Sequence, residues 1–323
     1  MSHGDRGAPG LHASLEAELE SLDRWLRGRF VPEPAATDEV VPATKYHDLE
    51  YLRAAIMRGK FTTMSPPMNA DGENIDVDLR IAVSRFTRQY SSSVSAVALT
   101  ALANGVGLDC SAARCRVIIR ANIPFLTVLD VGEGEPLRCT ERPTTWPVTG
   151  REVKTLRELR DFVWRKLYAE NLAPLFARTL EVTKVATNLC WTNAAEWVAN
   201  VSDAADEYLA PEAARPYYDD RIALMGAPTI PGIEGPNPLR GLIDWLPYEA
   251  PDFPHGVQTR GICCVTYMLP DRLGRLCQNC GFLPIQERVD LIRERHGKPM
   301  GTPGGPAEKH SIEVGRHKLG LDR

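Results

Sequence analysis

Cys263, Cys264, Cys277 and Cys280 fall within eighteen residues of a 323-residue chain, in the pattern Cys-Cys-x12-Cys-x2-Cys. Four thiolates are a full ligand set for one structural zinc or for a binuclear iron–sulfur cluster, and paired thiols also suit disulfide or redox chemistry. The adjacent pair bears on the choice. Neighbouring side chains of an extended strand point to opposite faces, so clasping one tetrahedral zinc with both requires a bent backbone. Two irons are separate anchor points, each asking for two thiolates, which relaxes that demand. A reducing compartment disfavours disulfides. From the residues alone, a [2Fe–2S] cluster, zinc and redox thiols all stay open. Cys110, Cys115, Cys139 and Cys190 are scattered through apolar or mixed surroundings and read as small buried hydrophobes. Cys110-x4-Cys115 straddles an expected helix end and strand start, with no second pair nearby.

The bulk composition narrows the setting. Hydrophobic residues make up 43% and charged residues 25%, with a net charge of −4 and a pI near 6.0. That is a globular balance, and it lacks the excess of Lys and Arg that a nucleic-acid partner needs. The first ten residues have no apolar core, so no secretory signal is expected. No segment approaches the roughly 20 apolar residues of a bilayer span. A cytoplasmic protein with reduced thiols is the expectation. No Walker-type phosphate loop is present, and Gly132-Glu-Gly134 lacks a strand–helix context. Electrons, if needed, would come from a separate donor rather than from NAD(P)H bound through a standard fold.

The elements that position the cysteines follow from spacing. Leu15, Leu19, Leu22 and Leu26 mark an amphipathic helix within 11–30, ended by Pro32 and Pro34. A short helix is expected over 45–58 and a loop over 61–74. Two helices are expected over 76–90 and 93–104, stopped by Gly105 and Gly107. Cys115–Arg120 and Pro124–Asp130 read as a hairpin turning at 121–123. Thr155-Leu-Arg-Glu158 has the form of a capping box, Asn171 with Pro174 suits a fresh helix start, and further helices are expected through Cys190–Asn200 and 212–225. Residues 226–238 form a Pro/Gly-rich linker. Residues 261–268 read as a strand, 270–276 as a turn and 283–295 as a helix. The fold class is α+β, mainly helical: a bundle-like body, a small β element, and a C-terminal strand–loop segment carrying the cysteines. The expected divisions are 1–75, helical and loop; 76–240, the body with its hairpin near 115–130; 241–296, the cysteine segment; and 297–323, a Gly/Pro-rich disordered tail.

The cysteine run, with Tyr267, Leu269-Pro270 and Pro284 around it, resembles the C-terminal signature of the FhuF-like ferric-siderophore reductases. Asn171-Leu-Ala-Pro-Leu175 and Cys190-Trp-Thr-Asn193 are similar to that family's helical "Leu-x-Pro-Leu … Trp-Gly-Asn" stretch. Thr192 stands where glycine is common, and the twelve-residue spacer is slightly longer than in the type member. The resemblance runs loosely over 85–285, and only the cysteine run is specific. It implies a [2Fe–2S] cluster on Cys263, Cys264, Cys277 and Cys280. It implies an oxidoreductase passing one electron to siderophore-bound iron(III) and releasing iron(II), fed by a ferredoxin, flavodoxin or flavin reductase.

Two other classes stand beside it. One is a non-redox protein, stapled by zinc or a cluster, that binds a siderophore or partner. The other is a siderophore synthetase relative, because aerobactin-type synthetases share part of this helical region although they are much longer. Among other candidates, Trp164, Tyr168, Trp191 and Trp197 read as core. His255, eight residues before Cys263, is a loop histidine with no ligand role once four cysteines are available. His47, His310 and His317 invite no chemistry. Arg272 and Arg275 read as solvated turn residues able to attract an anionic chelate.

Overall fold

The computed structural model describes residues 9–22, 26, 29–30, 34–36, 38–58, 78–120, 127–131, 135–253, 255–268, 274–295 and 306–319. Its centre is α3 (Leu79–Ala103), which follows α1 (Pro9–Leu22) and α2 (Leu49–Arg58). α3 packs along α6 (Thr187–Tyr208). Small residues such as Ala82, Ala96, Ala98, Ala194 and Ala195 are fully buried, and short side chains let two long helices approach closely. Asp78 opens α3 by accepting the Arg80 N–H at 2.8 Å. Gly105 closes it at φ +76, where an added Cβ would lie 2.0 Å from the Arg142 carbonyl oxygen.

The two helices expected over 76–104 are one. The Ser91-Ser92-Ser93 run does not break the helix, and Ser92 and Ser93 donate their hydroxyls back to the Gln89 carbonyl. Tertiary packing outweighs a weak propensity. The capping box forms as expected at α4 (Leu156–Trp164): Glu158 N–H donates to the Thr155 hydroxyl at 3.2 Å, and Thr155 N–H to the Glu158 carboxylate. The chain then runs on without a fresh start, through a π-helical segment (Arg165–Leu172) into α5 (Ala173–Thr183). Asn171 is no cap. It is buried, accepting from the Tyr90 hydroxyl at 2.7 Å and donating to the Cys110 carbonyl at 2.7 Å. α7 (Pro211–Gly226) completes the body.

The strands are small. β3 (Cys115–Arg120) pairs antiparallel with β4 (Thr127–Val131), as the hairpin reading expected; its turn lies outside the described residues. β1 (Asp38–Pro42) adds to the other edge of β3. β2 (Val106–Gly107), β5 (Leu137–Cys139) and β6 (Arg151–Val153) form a second sheet. β7 (Ile243–Leu246) and β8 (Val257–Arg260) form a hairpin leading straight to Cys263. The protein is α+β and mainly helical. No helix among the described residues is long and apolar enough to cross a membrane.

One core fills the body and takes in Trp164, Tyr168, Trp191 and Trp197, together with Cys110, Cys115, Cys139 and Cys190. A separate small cluster of Leu276, Cys280, Leu283 and Leu291 gathers α8 (Ile285–Arg295) and α9 (Pro306–Leu319). α9 corrects the expectation of disorder through 297–323. Residues 297–305 lie outside the described set, but 306–319 form a helix that places Ala307 and Val314 on this second cluster.

Candidate metal-thiolate site

Residues 261–268 are not the strand that alternation suggests. After β8 the chain bends at Gly261-Ile262, and a single 3-10 turn follows at Thr266–Met268. Between them Val265 sits at φ +52, a left-handed conformation that a β-branched residue rarely adopts. The Val265 N–H donates to the Cys263 sulfur at 3.3 Å. This kink frees the adjacent pair from opposite-face geometry, and the Cys263 and Cys264 thiols touch each other. The bent backbone that a single ion requires is therefore present.

The four thiols come together. Cys264 Sγ lies 3.2 Å from Cys277 Sγ, and Cys263 bonds both Cys264 and Cys280. Cys280 N–H donates to the Cys277 carbonyl at 3.0 Å, closing the Cys-x2-Cys turn. Cys264 and Cys280 are buried, at 4% and 6% exposure, while Cys263 and Cys277 are half-buried. Protons alternate along the chain of sulfurs. Cys263 is pushed well up because it donates to Cys264 and Cys280. Cys277 is pushed up by donating to Cys264. Cys264 is pushed well down by the bonds from Cys263 and Cys277, with Arg260 and Arg88 adding to the effect. Cys280 is lowered to about 7 by the bond from Cys263.

The donor chemistry suits a metal: four soft sulfurs, two of them poised as thiolates. The spacing is that of thiols in contact. Sulfurs around a zinc at about 2.3 Å lie about 3.8 Å apart, so the Cys264–Cys277 pair must open by about half an ångström. As placed, no group of three or more His, Cys, Asp or Glu side chains among the described residues is arranged to hold a metal ion.

Beneath the sulfurs lies a polar network that the sequence did not reveal. Arg260, last residue of β8, pairs with Glu196 of α6 and donates to Asn193 Oδ1 at 2.9 Å. Arg88 of α3 donates to the other Glu196 oxygen at 3.0 Å, as does Asn279 Nδ2 at 3.0 Å. Asn193 donates to the Ser84 carbonyl and the Thr87 hydroxyl, both at 2.9 Å. Arg260, Glu196, Asn193 and Asn279 are all buried. Two signals for this network existed. Asn193 and Glu196 stand three apart on one helix face, and Asn279 lies inside the Cys-x2-Cys turn. Nothing in the sequence marks Arg88.

The other candidates fall elsewhere. His255 Nε2 is 3.3 Å from Asp206 and its ring stacks on Tyr218 at 4.3 Å, so it is engaged away from the thiols. Trp164, Tyr168, Trp191 and Trp197 are core, as expected. Cys110 and Cys115 flank the Asn171 side chain within that core. His310 pairs with Glu287 at 3.1 Å. Arg272 lies outside the described residues; Arg275 is half-buried.

No family model matches the chain, and no curated protein matches it. Solved structures that match include aerobactin synthetase IucC from Klebsiella pneumoniae, at 13% identity and a TM-score of 0.42 over 64% of this chain and 37% of that one. They also include the petrobactin biosynthesis protein AsbB from Bacillus anthracis, at 13% identity and a TM-score of 0.42 over 72% and 47%. The chain spans less than half the length of either. The neighbours are a synthetase and a biosynthesis protein, not oxidoreductases. With the absence of a placed metal-holding group among the described residues, this corrects the oxidoreductase expectation and its iron–sulfur, ferric-reductase and electron-transfer description. The ferredoxin, flavodoxin or flavin reductase partner that it called for has no support either.

Proposed function

We propose that the protein is a non-redox siderophore-binding protein whose C-terminal segment is stapled to the helical body by a metal centre on Cys263, Cys264, Cys277 and Cys280. The observation that carries it is the gathering of the four thiols, made possible by the kink at Val265. A staple has work to do here. Among the described residues of the segment from β8 to α9, the cluster separate from the main core holds four buried residues, Leu276, Cys280, Leu283 and Leu291. A cluster that small contributes little stability by itself, and small units are commonly completed by a metal.

The occupant is a single zinc, in place of the [2Fe–2S] cluster that the sequence resemblance implies: four thiolates are its full ligand set, and the bend at Val265 meets the demand of a single ion. The siderophore as ligand rests on the same resemblance, and siderophore chemistry is also what the names of IucC and AsbB concern. Phe282 is 44% exposed and meets the partly buried Tyr267 edge-on at 6.1 Å, with Arg80 of α3, ion-paired to Asp78, acting on Tyr267. An exposed ring beside the centre would suit contact with the apolar parts of a chelate.

The test is limited proteolysis with and without a strong chelator under reducing conditions, alongside titration with a ferric hydroxamate followed by tryptophan fluorescence. Stripping the metal should open new cleavage sites within 257–295 while 78–226 stays protected, and the chelate should quench saturably. An unchanged cleavage pattern together with no quench would sink the proposal.

A further inference from the structure

Two guanidiniums and one carboxylate are packed against four sulfurs, and these charges do not cancel among themselves. Arg88 and Arg260 share Glu196, one on each oxygen. Arg88 also reaches past Glu196 to bond the Cys277 thiol, and both arginines act on Cys264. Arg260 and Glu196 have side chains only 2% exposed, and Arg88 is 31% exposed. Among these three groups one positive charge is left over beside the sulfurs, and the buried Arg288 guanidinium adds to it at Cys280.

Four thiolates around a divalent ion carry two negative charges in excess of the metal. Burying such a group next to Leu276, Leu283 and Leu291 is costly unless opposite charge is fixed nearby. Resting on the four-cysteine reading above, we infer that Arg88 is the charge-compensating positioning residue of the thiolate centre, with Glu196 the anchor that aims it and Arg260. The three residues come from three elements, α3, α6 and β8. The anchor is itself fixed by Asn279, which sits between the ligands Cys277 and Cys280. The network thus reports the position of both helices to the Cys-x2-Cys turn.

A structural role and a charge role predict opposite behaviour at Glu196. Glu196→Gln keeps the shape and one acceptor oxygen, turns an amide NH2 toward the other guanidinium, and removes the negative charge. If the network only holds the fold, this change weakens metal binding as Arg88→Met does. If the network supplies charge, it leaves more positive potential at the sulfurs and binding is equal or tighter.

The experiment titrates metal-free full-length protein with cadmium, reading the sulfur-to-metal charge-transfer absorption, with circular dichroism confirming the fold of each variant. Arg88→Met should raise the dissociation constant about tenfold or more, the scale of one fixed charge at close range. Arg88→Lys should recover most of that loss, and Glu196→Gln should bind at least as tightly as the wild type. Equal affinity in Arg88→Met, or parallel weakening in Glu196→Gln and Arg88→Met, overturns the inference. Absence of the absorption in the wild type would instead overturn the four-cysteine reading itself, so the two failures are distinct.

Discussion

The eight cysteines divide into two sets of four that share a side chain and little else. Cys110, Cys115, Cys139 and Cys190 lie in the main core, at most 3% exposed, among Leu, Val, Trp and Tyr. Burial pushes the Cys190 thiol up to about 12. Cys280 lies in the small C-terminal cluster with Cys277 against it; with Cys263 and Cys264 they form a group of thiols next to Arg88 and Arg260, and Cys280 is lowered to about 7. Burial alone makes a thiol an inert hydrophobe; burial beside other sulfurs and fixed positive charge makes it a ligand. The surroundings, rather than the residue, decide the chemistry.

The largest expected effect that could break this contrast is on metal content. Cys264→Ser or Cys280→Ser should purify with at most a small fraction of the wild-type metal, whereas Cys190→Ala should retain all of it; elemental analysis reads both. The next is reactivity. In metal-free protein at pH 8, alkylation follows the thiolate fraction, and pKa values near 7 and 12 place Cys280 about 10,000-fold ahead of Cys190. Labelling of Cys280 should climb between pH 6 and 8 and then level off, while Cys190 stays unlabelled. Peptide mass spectrometry after timed quenching checks it, and equal labelling would erase the distinction.

Smaller effects sharpen the contrast. Asn193→Ala removes the acceptor for Arg260 and the donor to Ser84 and Thr87, leaving buried groups unpaired, and should cost about 1–3 kcal/mol in urea unfolding. Because Asn193 ties the body to β8, its loss should also loosen the metal, which a purely core substitution should not do. The smallest is Thr155→Ala at the capping box, about 1 kcal/mol with metal content untouched.

The scattered cysteines were legible as core because their neighbours are apolar. The clustered four were legible as a group because of their spacing. The capping box at Thr155 and the hairpin at Cys115–Arg120 were equally plain, since each is written in a few contiguous residues. What the sequence hid was set by long-range partners. Residues 76–104 read as two helices, 76–90 and 93–104, because nothing local shows how deeply α3 is packed. Residues 261–268 read as a strand because alternation cannot foresee a left-handed Val265. Arg88 and Glu196 lie 108 positions apart and carry no motif, so only the crossing of α3 and α6 brings them under the sulfurs.

The most direct measurement is the metal and acid-labile sulfide content of anaerobically purified protein, wild type beside Cys280→Ser. One zinc per chain, without acid-labile sulfide, is expected in the wild type, and none in the variant. Wild-type protein without stoichiometric metal, or with content indifferent to Cys280, would contradict the central claim.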